Sequence, residues 1–135
     1  MKDHGWTATR EALPPAGERV LIISKWGNVS DGILVAYDPK EPPLFCPSGL
    51  EPDVHVKWWM PMLEDGWHKL KEQKPQEGQA ALTKDSYGHI FSCVWKRLCG
   101  SERPTFVPFV WVPRFWREIP PLPDGVQLNY GGGVK

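Results

Sequence analysis

The sequence predicts a mainly β fold, in which two tandem three-stranded antiparallel β units pack as one pseudo-twofold domain. Its length of 135 residues suits a single domain, or two very small lobes that share a core. The 15 prolines and 13 glycines are spread along the chain and interrupt nearly every window in which a long helix could form. The two halves of the chain also resemble each other, which predicts the pairing of two similar units.

Six segments show the β-branched and aromatic enrichment, bounded by glycine, proline or aspartate, that is typical of strands. In the first half these are ERVLIIS (residues 18–24), NVSDGILVAY (28–37) and VHVKWWM (54–60). In the second half they are QAALTK (79–84), GHIFSCVWKRL (88–98) and TFVPFVWVPRFW (105–116). Because Pro108 and Pro113 lack an amide donor, the last segment is predicted to be an edge strand or to be broken.

The chain repeats itself without a gap at an offset of 61 positions, the separation of Gly5 and Gly66. The coincident pairs are Gly5/Gly66, Trp6/Trp67, Glu11/Glu72, Pro14/Pro75, Gly17/Gly78, Leu21/Leu82 and Gly27/Gly88. Two copies are fewer than a solenoid needs, so a duplicated pseudo-twofold domain is the better interpretation. We assign residues 1–65 to the first β repeat, 66–125 to the second, degenerate β repeat and 126–135 to a flexible C-terminal tail.

The stretch VKWWMP places Trp58 and Trp59 side by side in a predicted strand. Neighbouring side chains of a strand leave its opposite faces, so the two indoles cannot both enter one ordinary one-sided core. We therefore expect one of them to enter the core of its own half and the other to lie at the contact between the halves.

Composition bears on the compartment and on the partners. The 16 basic and 16 acidic residues cancel, which argues against a protein that binds nucleic acid through bulk electrostatics. Three cysteines, Cys46, Cys93 and Cys99, are an odd count, and the N-terminus lacks the apolar run of a secretory signal. No apolar run approaches the roughly 20 residues of a membrane helix. We expect a cytoplasmic protein with reduced thiols and no membrane partner.

The order of Trp6, EALPPAGERVL (residues 11–21) and WMPML (residues 59–63) resembles a family of short phage and prophage proteins. The family is catalogued as domain of unknown function five-five-one, and its members typically close with His-Trp-Met-Pro-Leu-Pro. Trp58 stands where that histidine is usual, so no role of the histidine carries over. The match covers the first half well, and the second half resembles a degenerate copy. The resemblance implies a phage or prophage accessory gene acting in a bacterial host cell, without a known reaction or cofactor.

Catalytic and metal-binding chemistry finds little support in the spacing of the polar residues. The four histidines and three cysteines lack the close pairs of a structural zinc site, because five residues separate Cys93 from Cys99 and Cys46 stands alone. Cys93 lies between aromatic residues in a predicted strand, where burial makes a thiol inert. The sequence contains no nucleophile elbow, P-loop or dinucleotide fingerprint. We expect no metal, no cofactor and no enzymatic activity.

Aromatic and basic residues form the candidate binding surface, because tryptophan and arginine anchor many protein interfaces. Its members are Trp26, Trp58, Trp59, Trp111, Arg114 and Arg117. The leading hypothesis is a non-enzymatic accessory protein that binds a host or phage protein, with counter-defence as a use, or that pairs with a second copy of itself. The alternative is a small ligand or nucleotide bound in a groove between the repeats, with a base stacked on aromatic rings beside Arg114 or Arg117. Nucleic acid as the partner is disfavoured.

Overall fold

The fold is all-β and antiparallel in the part of the chain that the computed structural model describes, residues 5–36, 38–48, 51–97, 100, 102–107 and 113–128. The first half contains β1 (Thr7–Ala8), β2 (Arg19–Ile23), β3 (Val29–Ala36), β4 (Leu44–Pro47) and β5 (Trp58–Pro61). The second contains β6 (His68–Lys69), β7 (Ala80–Lys84), β8 (Ile90–Arg97), β9 (Pro104–Val107) and β10 (Phe115–Arg117). The mainly β prediction is confirmed, and no helix of the described residues could cross a membrane.

Each half contributes five described strands, so the prediction of three per half is wrong. Strands β1 and β6 are two residues long and show no periodicity that a sequence could reveal. Strand β4 lies outside the six predicted strands; it pairs with β3 beside the main path of the sheet, and its Phe45 forms a further antiparallel bridge with Asp53. In the segment predicted as the last strand the structure describes β9 and β10, and Pro113 and Arg114, which precede β10, are not in a strand. This agrees with the expectation of a broken strand at Pro113, whereas Pro108 lies outside the described residues.

The ten strands form one sheet whose order reads alike from both ends: β1-β5-β2-β3-β8-β7-β10-β6, with β4 beside β3 and β9 beside β8. Adding 61 to the residue numbers of β1, β2 and β3 gives the bounds of β6, β7 and β8. The two halves meet at the seam between β3 and β8, through the pair Ser30↔Phe91, whose members are themselves 61 positions apart. The seam is therefore the centre of the pseudo-twofold arrangement.

Side chains reach across the seam to backbone amides in a reciprocal way. The Oδ1 atom of Asp31 accepts a hydrogen bond from the N–H of Ile90 at 2.8 Å. In return, the Oγ atom of Ser92 accepts one from the N–H of Val29 at 2.9 Å. Ser48 Oγ donates to the second carboxylate oxygen of Asp31 at 2.7 Å, and the Nε of Arg19 lies 3.5 Å from it. A carboxylate that is only 1% exposed is thus supplied with partners, as buried charge requires.

Three apolar clusters form the core. The central cluster draws on both halves and consists of the buried residues Trp6, Leu21, Ile23, Val29, Leu82 and Ile90. The first-half cluster consists of Val20, Ile22, Leu34, Phe45 and Val56. The second-half cluster consists of Ala81, Phe91, Cys93, Trp95, Phe106 and Trp116. Strand β2 sends alternate side chains to the central and first-half clusters, so four of its five residues are buried.

The adjacent indoles of Trp58 and Trp59 separate between these clusters. Trp58 packs against the central cluster that both halves share, whereas Trp59 packs against the first-half cluster. Their opposite directions follow from the alternation of side chains along β5. This placement agrees with the expectation that one would enter the core of its own half and the other the contact between halves.

The predicted boundary at residue 126 does not mark the end of the packed chain. Val126 and Leu128, which were assigned to the tail, pack against the central cluster. The turn that precedes them is closed by a hydrogen bond from the N–H of Val126 to the carbonyl of Pro123 at 3.1 Å. Residues 129–135 lie outside the described part of the chain.

Candidate functional site

The predicted surface residues do not come together as one patch. Trp58 and Trp59 point to opposite faces of β5, and Trp26 lies in the turn between β2 and β3. In the second half, Arg114 directly precedes β10 and Arg117 is its last residue. Trp111 lies outside the described residues.

Two of these residues, Arg117 and Trp59, make contacts that stabilise the fold. The guanidinium of Arg117 donates to the backbone carbonyl of Asp65 and covers Gly66, at which an added Cβ would lie 3.1 Å from the Nη1 atom. The Nε1 atom of Trp59 donates to the carbonyl of Ala12 at 2.9 Å, which pins the segment after β1. Both side chains therefore stabilise the local backbone conformation, and neither can move to a ligand without breaking a contact.

Trp58 lines a groove beside the end of β1, which we call the first-half groove. Its lining residues are Ala8, Thr9, Arg10, Lys57 and Trp58, and it measures about 250 Å³. Two hydrogen bonds fix its walls, because the N–H of Thr9 donates to the carbonyl of Lys57 at 2.9 Å and the Oγ1 of Thr9 donates to the carbonyl of Val56 at 3.0 Å. The side chains of Arg10 and Lys57 are exposed along its rim.

Lys57 also lines a second cavity, the hairpin groove, beside the turn between β2 and β3. The groove measures about 420 Å³ and is lined by Ile23, Ser24, Lys25, Gly27, His55, Lys57, Val126 and Gln127. The fully buried carboxylate of Asp53 ties two of its walls together, since it accepts the N–H groups of Lys25 and His55, both at 2.8 Å. This groove lies between the first half and the segment that follows the second.

The third cavity, the second-half groove, contains Arg114. It measures about 420 Å³ and is lined by Leu70, Lys71, Lys74, Pro113 and Arg114. The N–H of Leu70 donates to the carbonyl of Arg114 at 3.0 Å, which joins the segment after β6 to the segment before β10. All of its lining residues belong to the second half, so it is not a groove between the repeats.

The charge that lines these cavities has one sign. Within the described part of the chain, the three grooves are lined by six basic side chains and no acidic one. The basic residues are Arg10, Lys25, Lys57, Lys71, Lys74 and Arg114. Since the chain carries 16 basic and 16 acidic residues, this distribution creates local positive potential on a protein without net charge.

Groups that could carry a reaction are placed unfavourably. Burial raises the pKa of the Cys93 thiol to about 12, against which a hydrogen bond with Thr83 acts in the opposite direction. The Nδ1 atom of His89 lies 3.2 Å from the Oδ2 atom of Asp85, but the other oxygen of this carboxylate accepts the N–H groups of Tyr87 and His89 at 2.9 Å. The pair thus closes the turn between β7 and β8. No group of three or more histidine, cysteine, aspartate or glutamate side chains in the described residues could hold a metal ion.

Sequence reasoning missed the basic residues that matter most. Arg10 and Lys57 are far apart in the chain and only the pairing of β1 with β5 brings them together. The repeat contained a signal that could have pointed to the basic residues of the second half, because Lys71 lies 61 positions after Arg10. Tyr87 was also missed, although it is 80% exposed at the β7–β8 turn, where it occupies the position that Trp26 has in the first half.

Comparison of the chain with protein-family models, with curated protein sequences and with solved structures gave no match. The geometry of the grooves is therefore the basis on which a function is proposed.

Proposed function

We propose that this is a non-enzymatic binding protein, a phage or prophage accessory protein of the kind its sequence resembles, which docks onto an acidic surface of a host or phage protein. Counter-defence in the cytoplasm of a bacterial host cell is the use that the resemblance suggests. The observation that carries the proposal is the distribution of charge, since six basic and no acidic side chains line the described grooves. Complementary charge steers a partner and fixes its register.

The first-half groove supplies the anchor of the proposed contact. Trp58 is half-buried, with one part of the indole against the central cluster and another part lining the groove between Arg10 and Lys57. A tryptophan that is already held by packing loses little conformational entropy when a partner covers it. Tryptophan and arginine are also the residues that most often dominate the energy of protein interfaces.

A protein partner fits these grooves better than a nucleic acid. Single strands are held by successive bases stacked on aromatic rings along a basic channel. Among the described residues that line the three grooves, the aromatic rings are those of Trp58 and His55, which lie in different grooves. Arg97 lies outside the grooves and pairs with Glu77 at 3.3 Å. Isolated cationic grooves of this kind suit the carboxylates of a polypeptide.

The proposal includes no reaction step. The thiol of Cys93 is buried and its pKa is raised to about 12, which keeps it protonated and unreactive at neutral pH. The His89–Asp85 contact has a local explanation, because Ser24 takes the equivalent place in the first half and its Oγ atom accepts the N–H of Asn28 at 3.4 Å. Both polar residues serve to close a hairpin turn.

The test is retention of an acidic protein from infected or lysogenic bacterial cells by the tagged full chain, followed by measurement of Kd with the purified partner. The double variant R10E/K57E reverses both charges of the first-half groove. Because the loss of each charge contact is expected to weaken binding about tenfold, Kd should rise by about a hundredfold or more. Trp58→Phe keeps most of the packing and is expected to weaken Kd by a smaller factor.

Lys40→Glu is the matched control, because Lys40 is exposed in a turn away from all three grooves. It makes the same change of charge as each single reversal in the double variant and is expected to leave Kd unchanged. Equal binding by R10E/K57E and by the unaltered chain would overturn the proposal. Loss of the retained protein after nuclease treatment would also overturn it, in favour of a nucleic-acid ligand.

A small anionic ligand in the hairpin groove is the second candidate. The groove has about 420 Å³, within the range of small-molecule sites, and it lies between the first half and the segment after the second. Lys25 and Lys57 supply positive charge, and among its lining residues the imidazole of His55 is the one aromatic ring. Calorimetry with inorganic phosphate and with a nucleoside monophosphate tests this candidate, and Lys25→Glu should abolish any binding that occurs there.

A further inference from the structure

We infer that the second-half groove is a second site for an acidic polypeptide segment, equivalent to the first-half groove, so that the protein is bivalent. The inference rests on the proposed function, since it extends the same chemistry to a second place. It is carried by the positions of the basic residues in the two grooves and by the hydrogen bonds that set those positions.

Corresponding backbone contacts build both grooves. In the first half, the N–H of Thr9 donates to the carbonyl of Lys57 at 2.9 Å. In the second half, the N–H of Leu70, which is 61 positions after Thr9, donates to the carbonyl of Arg114 at 3.0 Å. Lys57 directly precedes β5, and Arg114 directly precedes β10. The two residues therefore take corresponding places beside the same kind of strand.

The second cation of each groove follows the same rule. Arg10 is the next residue after Thr9, and Lys71 is the next residue after Leu70, so these two are also 61 positions apart. Each groove thus combines one basic residue after its short strand with one before the strand that pairs with it. Charge at both positions is kept in both halves, although lysine and arginine exchange places.

These four cations are available to a ligand. In the part of the chain that the structure describes, Arg10, Lys57, Lys71 and Arg114 are in no ion pair, whereas Lys69 lies 4.0 Å from Glu72 and Arg97 lies 3.3 Å from Glu77. Basic side chains without a carboxylate beside them attract anions most strongly when they converge on one cavity. Two or more converge on each of the two grooves.

The two grooves differ in the contacts that they offer besides their shared pair of basic residues. Trp58 gives the first-half groove an aromatic wall, whereas its counterpart Phe115 is covered by the Nζ of Lys84, 5.5 Å from the ring centroid. The second-half groove has Lys74 as a third cation instead. Binding there depends more on electrostatics, and screening by salt should weaken it more than binding at the first-half groove.

The experiment is a titration of the ¹⁵N-labelled full chain with a decaglutamate peptide, followed by NMR. Two separate sets of amide shifts are expected, one around Thr9 and one around Leu70, with two peptides bound per chain. Lys57→Glu should weaken the binding that shifts the amides around Thr9 alone, and Arg114→Glu should weaken the binding that shifts those around Leu70 alone, each by about tenfold. Lys40→Glu should change neither set.

The outcomes separate the inference from the proposed function. Shifts around Thr9 without shifts around Leu70 would overturn the second site and leave the docking function standing. Absence of shifts at both places would overturn the inference, while the retention experiment with R10E/K57E decides the docking function independently. Tighter binding of an oligothymidylate than of decaglutamate at both sets would overturn the assignment of an acidic polypeptide.

Discussion

Trp59 and Trp116 make the same hydrogen bond in the two halves of the protein. The Nε1 atom of Trp59 donates to the carbonyl of Ala12 at 2.9 Å, and that of Trp116 donates to the carbonyl of Gln73 at 2.7 Å. The two acceptors are 61 positions apart, and each indole packs on the cluster of its own half. Both tryptophans thus clamp the irregular segment that follows a two-residue strand onto the sheet.

Replacement of either clamp residue by phenylalanine should lower stability through the loss of this bond. We expect the free energy of unfolding to fall by about 1 kcal/mol for Trp59→Phe and by about 2 kcal/mol for Trp116→Phe. The larger cost follows because Trp116 is only 3% exposed, so the smaller ring leaves unfilled space. Urea unfolding measures both values, and unchanged stability in both variants would contradict the clamp.

The seam between β3 and β8 should depend on two side-chain acceptors. Asp31→Ala would leave the buried N–H of Ile90 without a partner and is expected to cost about 3 kcal/mol. Ser92→Ala removes the acceptor for the N–H of Val29 and should cost about 2 kcal/mol. Asp31→Asn serves as the control, since an amide oxygen can still accept from Ile90, and its cost should be smaller. Equilibrium denaturation with urea gives the comparison.

The glycines of the equivalent turns before β2 and β7 should respond equally to substitution. Gly17 and Gly78 have φ values of 82° and 89°, and an added Cβ would meet no atom within 4 Å at either position. The cost of alanine is therefore backbone strain alone, about 1–2 kcal/mol in each case. Thermal unfolding of Gly17→Ala and Gly78→Ala tests this, and a strongly unequal effect would show that the two turns are not equivalent.

The thiol of Cys93 should remain unreactive in the folded protein. Its pKa is raised from the ordinary value of 9.0 to about 12 by burial, so at pH 9 it stays protonated while an exposed thiol would be half ionised. Iodoacetamide at pH 9 should modify Cys93 only after denaturation, as peptide mapping by mass spectrometry can show. Between pH 9 and 12 the thiol ionises in the unfolded chain but stays protonated in the folded protein. The free energy of unfolding should therefore fall as the pH rises through this range. Rapid alkylation under native conditions would contradict its burial.

The central strands were predictable because local pattern and tertiary environment agree there. Residues 18–24 were predicted as a strand and β2 spans Arg19–Ile23, where an unbroken apolar run is buried on both faces. The offset of 61 positions also carries over to the bounds of the strands. By contrast, β1 and β6 exist only because β5 and β10 supply their pairing, which no short stretch of sequence reveals.

The candidate site was less predictable than the strands. Trp58 was singled out correctly as a residue that could not share a core with Trp59, but Arg117 turned out to hold Asp65 and Gly66. The basic rims of the grooves arise from residues that are distant in sequence and meet through strand pairing. The net charge of zero gave no indication of these basic rims, because a sum over the chain does not show where the basic and acidic side chains lie.

Native-state hydrogen exchange of the Val29 and Ile90 amides tests most directly whether the halves form one cooperative unit around their seam. Both N–H groups are donated to buried side chains of the opposite half. We predict that both amides exchange only through global unfolding, with the same free energy as urea denaturation gives. A lower free energy of opening for one amide than for the other would mean that one half unfolds alone, and would contradict the account.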